Sequence, residues 1–203
     1  NRWNNTVAIL TGDYLFAKTS QLLADLGPEA VRLQALTFER LVIGQITETQ
    51  GSSTDKTALE HYLSVVSDKT ASLISASARY GAMISGADEK IMDALTKFGE
   101  EIGTVFQLAD DIIDIASDTK ESGKTPGTDL REGVPTLVTL FILESNDPAD
   151  AELKTLLSAP ITDETVVAET ILKLRNHSAL KKSRDLVAKY GESAQKHLAL
   201  LPR

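Results

Sequence analysis

The chain of 203 residues carries no cysteine and sets 29 acidic against 21 basic side chains, for a formal net charge of -8. That balance argues against non-specific nucleic-acid binding and against a basic face lying on a membrane. The lack of thiols excludes disulfides, thiolate catalysis and zinc-thiolate sites and makes an intracellular setting the expectation.

With 42% hydrophobic residues, the chain can bury a real core and is expected to form a single domain over residues 1–203. It opens at Asn1 without a methionine and enters a helical pattern almost at once, so further sequence upstream is expected. Nothing at the amino end resembles a signal peptide, and the longest apolar run, Val134 to Leu143, is too short to span a bilayer. A cytoplasmic protein is therefore expected.

Apolar residues recur at helical intervals from Thr6 to Asp25, and Gly27-Pro28 supplies a stop and a new start. A second helix is predicted from Pro28 to about Thr49, carrying Gly44, Gln45 and Glu48 near its end, where the last two form either a surface pair or part of a lining. After a polar loop, Gln50 to Lys56, a short helix is predicted over Thr57 to Ser67. Asp68 is then expected to cap a helix from Lys69 to about Ser85, with Thr70, Ser77 and Gly81 on a shared face. A lysine at the positive end of a helix makes sense where a phosphate docks, although a solvated lysine is the alternative. Asp88 is expected to cap a long central helix.

The last third of that helix holds FQLADDIIDIASD, Phe106 to Asp118. At about 100° per residue, Gln107, Asp110, Asp111, Asp114 and Asp118 fall within an arc of roughly 100°. Val105, Leu108, Ala109, Ile112, Ile113 and Ile115 take the opposite arc, which is expected to pack into the core. Like charges four residues apart cost a helix about 0.2 to 0.5 kcal/mol per pair. A hard divalent ion would relieve that repulsion and could bridge the acids to substrate phosphates; a solvated acidic face is the other reading. Gly99 and Gly103, on the same arc, leave either a groove for a ligand or a close helix contact.

A loop follows, TKESGKTPGTDLREGVPT, in which Lys124 and Arg131 are expected to offer cations near the aspartates. It is no Walker loop, because no GxxxxGK[ST] follows a strand. Four further helical segments are predicted at about Thr136 to Ser145, Pro148 to Ser158, Thr162 to Asn176 and Ser178 to Leu200, all structural in character. His61, His177 and His197 have no metal-ligand spacing and read as surface or packing residues. No strand pattern or repeat appears, so the fold class is all-α.

FQLADDIIDIASD followed by GKTPGTDLREGVPTL resembles the second aspartate-rich region and lysine loop of the trans-type polyprenyl (isoprenyl) diphosphate synthases. The likeness extends through GDYLFAKTS (Gly12 to Ser20), GQITE (Gly44 to Glu48) and DKTASLISASARYGAMISG (Asp68 to Gly86), over roughly the first 145 residues. It implies an isoprenoid-synthase-type helical bundle, of which this chain is the carboxy-terminal two-thirds. It implies a homodimeric, Mg2+-dependent prenyltransferase that joins an allylic prenyl diphosphate to isopentenyl diphosphate and releases pyrophosphate. Asp110, Asp111 and Asp114 would then be the DDxxD that holds magnesium. Lys69 and Lys124 would grip the allylic diphosphate, while Thr70 and Gln107 would line the site near the ionising carbon.

Two departures stand out. The family's first DDxxD would lie before Asn1, so the fragment alone is expected to be inactive. Val134 also stands where the family often has a lysine. Other readings are a short noncatalytic subunit of a heteromeric synthase and, against the retained aspartates, a terpene cyclase.

Overall fold

The computed structural model describes residues 4–51, 55–116 and 125–201. Among them every regular element is helical, as expected for an all-α chain. Helix α1 (Asn5–Ala24) begins where the Asn4 side chain accepts from the Val7 amide at 2.9 Å. Gly27, at a φ of 99° that disfavours other residues, turns the chain so that Pro28 can open α2 (Pro28–Gln50). Phe16 of α1 meets Phe38 of α2 with ring centroids 4.4 Å apart.

Thr57 and Glu60 form a reciprocal capping box for α3 (Ala58–Val66). The run then continues through a π-helical turn, Ser67–Ala71, straight into α4 (Ser72–Ile84). The expected helix start at Lys69 is thus absent. Asp68 does not cap, because its carboxylate is turned to Arg40 of α2 at 3.0 Å. With no helix end there, no positive terminus stands at Lys69 to draw a phosphate.

Asp88 does cap the central helix α5 (Glu89–Ala116), accepting from Ile91 at 2.9 Å. The short α6 (Thr128–Glu132) lies between two glycines of positive φ, Gly127 and Gly133. Next come α7 (Leu137–Leu143), a 3₁₀ turn at Pro148–Asp150, and α8 (Ala151–Leu157). The chain ends with α9 (Glu164–Asn176), capped by Asp163, and α10 (Ser178–Leu198), capped by the imidazole of His177.

Helix α5 packs against both α4 and α10. The contact with the α3–α4 run is close because of two glycines. A Cβ on Gly103 would stand 2.6 Å from the Ala71 Cα, and one on Gly99 would stand 2.5 Å from the Ser75 Cα. Of the two readings of this glycine pair, the close helix contact holds and the ligand groove does not.

The main apolar cluster gathers around the carboxy end of α5, where Ile115 meets Val138, Ile142, Leu174 and their neighbours. Full burial of a side chain of this size stabilises by about 1.5 to 3 kcal/mol. At the other extreme, α1 buries no residue, and Leu22 and Ile9 are 70% and 64% exposed. Among the described residues no helix is long and apolar enough to cross a membrane.

The two arcs of α5 are less cleanly divided than periodicity suggests. Leu108 and Ile115 are buried as expected, but so are Asp111 and Asp114, while Ile113 is 42% exposed. A central helix is covered on its acidic side as well, here by α3, α6 and α7.

Candidate functional site

A cleft of about 460 Å³ opens beside the acidic part of α5. Glu48 of α2, His61 and Tyr62 of α3, and Lys69 and Thr70 of the π turn stand along it; Gln107, Asp110 and Asp111 of α5 and Asp129 of α6 complete the polar lining. Five of the predicted residues, Lys69, Thr70, Gln107, Asp110 and Asp111, are therefore brought together. Asp114 lies below, buried, and Lys124 and Asp118 fall outside the described residues.

The three aspartates of α5 are held in different ways. Asp110 borders the cleft, half-buried. One oxygen of Asp111 accepts from the Tyr62 hydroxyl and from the Leu137 amide at 3.1 Å, and the other accepts from Gln107 Nε2 at 3.1 Å. Asp111 thereby ties α3 and the start of α7 to α5. The two carboxylate oxygens of Asp114 accept from the Thr128 and Asp129 amides at 3.2 and 3.3 Å, and its carbonyl accepts from Gly127. Asp114 is thus the anchor for α6.

A polar chain crosses the cleft. Thr70 Oγ1 donates to Gln107 Oε1 at 3.1 Å, and the Gln107 amide then donates to Asp111. Gln107 is thereby fixed with its oxygen toward Thr70. Lys69 Nζ is 2.7 Å from Glu48 Oε2, which also accepts from Gln45 at 2.8 Å. Of the two readings for that pair, Glu48 is a lining residue and Gln45 supports it.

Charge accumulates on the acidic side. Burial pushes the Asp111 carboxyl above its ordinary range, against the pull of its hydrogen bonds. Burial, then the neighbouring Asp114, Asp111 and Asp110, push Asp129 up to about 6. The Tyr62 hydroxyl is also raised, by burial and by Asp111.

Tyr62 stands in no motif of the sequence, Asp129 carries no assigned role within GKTPGTDLREGVPTL, and His61 reads there as a surface or packing residue, yet all three line the cleft. Tyr62 precedes Lys69 by two helical turns, so same-face spacing was a usable signal. Asp129 sits in a turn between glycines, where no periodicity points at it. Arg131 is the reverse case. It was expected near the aspartates, but its guanidinium is engaged by Glu164 at 2.8 and 2.7 Å and by the Pro126 carbonyl at 2.7 Å. A planar fork matches a carboxylate two-handed, and that match takes it to α9.

The carboxylate oxygens of Asp110, Asp111 and Asp129 suit a hard divalent cation, which would offset both the burial of Asp129 and the charge of its acidic neighbours. Among the described residues no three acidic or histidine side chains already stand close enough to hold an ion by themselves. Asp110 and its neighbours therefore fit an ion that brings further oxygen ligands, as magnesium does with phosphates.

A family profile described as polyprenyl synthetase matches residues 1–174. The chain belongs to that family. It is 49% identical over 201 residues to nonaprenyl diphosphate synthase of Mycobacterium tuberculosis, an alignment that covers 99% of this chain and 60% of that protein. It is 41% identical to dimethylallyltranstransferase of the same organism, over 99% of this chain and 61% of that one. Among solved structures, geranylgeranyl pyrophosphate synthase from Corynebacterium glutamicum, complexed with calcium and isoprenyl diphosphate, superposes with a TM-score of 0.90 at 42% identity, covering 100% of this chain and 63% of that one. The chain thus spans about three-fifths of the length of the polyprenyl synthetases it matches.

Proposed function

We propose that the protein to which this chain belongs is a magnesium-dependent, homodimeric prenyltransferase that lengthens an allylic prenyl diphosphate with isopentenyl diphosphate and releases pyrophosphate. The observation that carries the proposal is that Asp110 of α5 lines the same cleft as Lys69 and Thr70 of the π turn. The relatives named nonaprenyl diphosphate synthase and dimethylallyltranstransferase support the same reaction class.

In this reading Asp110 is the principal ion ligand, while Asp111 and Asp114 hold the walls in register. Lys69 exchanges its contact with Glu48 for oxygens of the allylic diphosphate, a charge-assisted bond of the stronger kind. Thr70 and Gln107, locked oxygen to hydroxyl, present the negative ends of their dipoles to the carbon that becomes cationic. Lys124 is assigned to the same diphosphate by resemblance alone. When bound, magnesium supplies charge stabilisation for the departing pyrophosphate. The double bond of isopentenyl diphosphate then attacks the allylic cation, and the proton released as the new double bond forms passes to the departed pyrophosphate. Residues 1–203 alone are expected to show no turnover, since they carry one aspartate-rich motif, Asp110 to Asp114, where the family resemblance implies two.

The test is Asp110→Ala in the full-length protein. Loss of charge stabilisation worth several kcal/mol should lower kcat about a hundredfold or more, with the helical circular dichroism signal unchanged. Ordinary turnover at ordinary magnesium would refute the assignment.

A further inference from the structure

The π turn at Ser67–Ala71 carries Lys69 and Thr70, and its surroundings repeat with the pitch of a helix. On α2, Arg40, Gly44 and Glu48 follow one another at four-residue steps. On α5, Glu100, Gly103 and Gln107 do nearly the same. At the lowest level Arg40 meets Glu100. One turn higher, the glycines admit the backbone of the π turn, for a Cβ on Gly44 would stand 2.9 Å from the Lys69 nitrogen and one on Gly103 would stand 2.6 Å from the Ala71 Cα. At the top, Glu48 meets Lys69 and Gln107 meets Thr70.

Arg40 spends its whole guanidinium on this arrangement. Its Nε donates to Asp68 at 3.0 Å, and Nη2 donates to the Ser67 carbonyl at 3.2 Å and the Ser67 hydroxyl at 3.1 Å. Nη1 and Nη2 also engage both oxygens of Glu100. The Ser67 carbonyl is the acceptor of the wide π-type bond from Ser72, so Arg40 holds the group at which the helix departs from regular spacing. Such one-residue insertions are costly to regular helix bonding and recur at functional sites. Here the insertion lets two consecutive residues address opposite walls, Lys69 toward α2 and Thr70 toward α5.

We infer that Arg40 is a positioning residue for substrate, which fixes the π turn so that Lys69 and Thr70 face the allylic diphosphate. The inference rests on the prenyltransferase reading for its substrate, but not for the geometry of the turn.

The experiment compares Arg40→Met, Arg40→Lys and Lys69→Gln in the full-length protein. Arg40→Met/Glu100→Gln, which removes one of the two acids left stranded and keeps Asp68 in the turn itself, replaces the single variant if that variant fails to fold. Amide hydrogen exchange over Ser67–Ser72 should quicken at least tenfold in Arg40→Met while α5 exchanges as before. Because misplacing a binding group by about 1 Å costs up to about a hundredfold, KM for the allylic diphosphate should rise about tenfold or more, with KM for isopentenyl diphosphate unchanged. Arg40→Lys should recover part of both effects. Unchanged exchange over Ser67–Ser72, or an equal rise in both KM values accompanied by a fall in Tm, overturns the inference. If Lys69→Gln leaves the allylic KM unaltered, the substrate reading of Lys69 fails instead, and exchange alone decides whether Arg40 fixes the turn.

Discussion

At the scale of single residues, Asp129 shows what burial among other acids does to a carboxylate. Its carboxyl is raised from an ordinary 3.8 to about 6, so the folded protein holds that proton more tightly than the unfolded chain does. Stability from this group is fully present below the unfolded value and is lost as pH rises from about 4 through about 6. Thermal unfolding of the metal-free protein should therefore show its Tm falling relative to that of Asp129→Asn across this window. Asp129→Asn should raise Tm at pH 8, while weakening magnesium-dependent binding of pyrophosphate in the same variant. Equal slopes in the two proteins would mean that neither burial nor Asp114, Asp111 and Asp110 raise the Asp129 carboxyl. Little of this was legible in the sequence. The DDIID spacing located α5's acids and Lys69-Thr70 located a wall, but Asp129 and Arg131 differ only in where the short α6 points them, one inward and the other to Glu164.

At the scale of elements, capping chemistry carried most of the prediction. Gly27-Pro28, Thr57 and Asp88 mark starts that the structure keeps. The failure at Asp68 has a specific cause: an aspartate that reads as a cap in one dimension is the partner of an arginine from 28 residues earlier, and the helix bulges instead of breaking. The glycines of α5 teach the same lesson, since a missing side chain signals space without saying what fills it. Gly103→Ala is expected to lower stability by about 1 to 3 kcal/mol through overpacking against Ala71, outweighing a gain in helix propensity of about 1 kcal/mol. Gly81→Ala in α4 is the matched control, because a Cβ there meets nothing within 4 Å. That substitution should raise Tm. Denaturant unfolding of the pair measures both, and a stable Gly103→Ala would show that the α4–α5 contact yields more readily than close packing allows.

At the scale of the whole molecule, burial is unevenly shared. The cluster around Ile115 packs side chains from α5 to α10, whereas α1 presents Leu10, Tyr14, Leu15 and Leu22 to the surface. In the homodimer reading this face packs against a second copy. Leu15→Asp combined with Leu22→Asp in the full-length protein should then shift the sedimentation coefficient toward that of a monomer at micromolar concentration, leaving helix content unaltered. An unshifted dimer would place its contact elsewhere.

The same imbalance sets an order of events at the ribosome. Synthesis runs at about 5 to 20 residues per second, so α1 leaves the peptide tunnel roughly 10 to 40 s before α10 is complete. Within this stretch α1 emerges long before the residues that close the core on Ile115, Leu174 and Leu180 among them. Until the π turn and α4 emerge to cover α2, the helices α1 and α2 pack on each other, as Phe16 does with Phe38. A nascent chain of this kind is a natural client for a chaperone that shields apolar helices, and its yield in a cell should depend on translation speed through α5 more than on the stability of the finished fold.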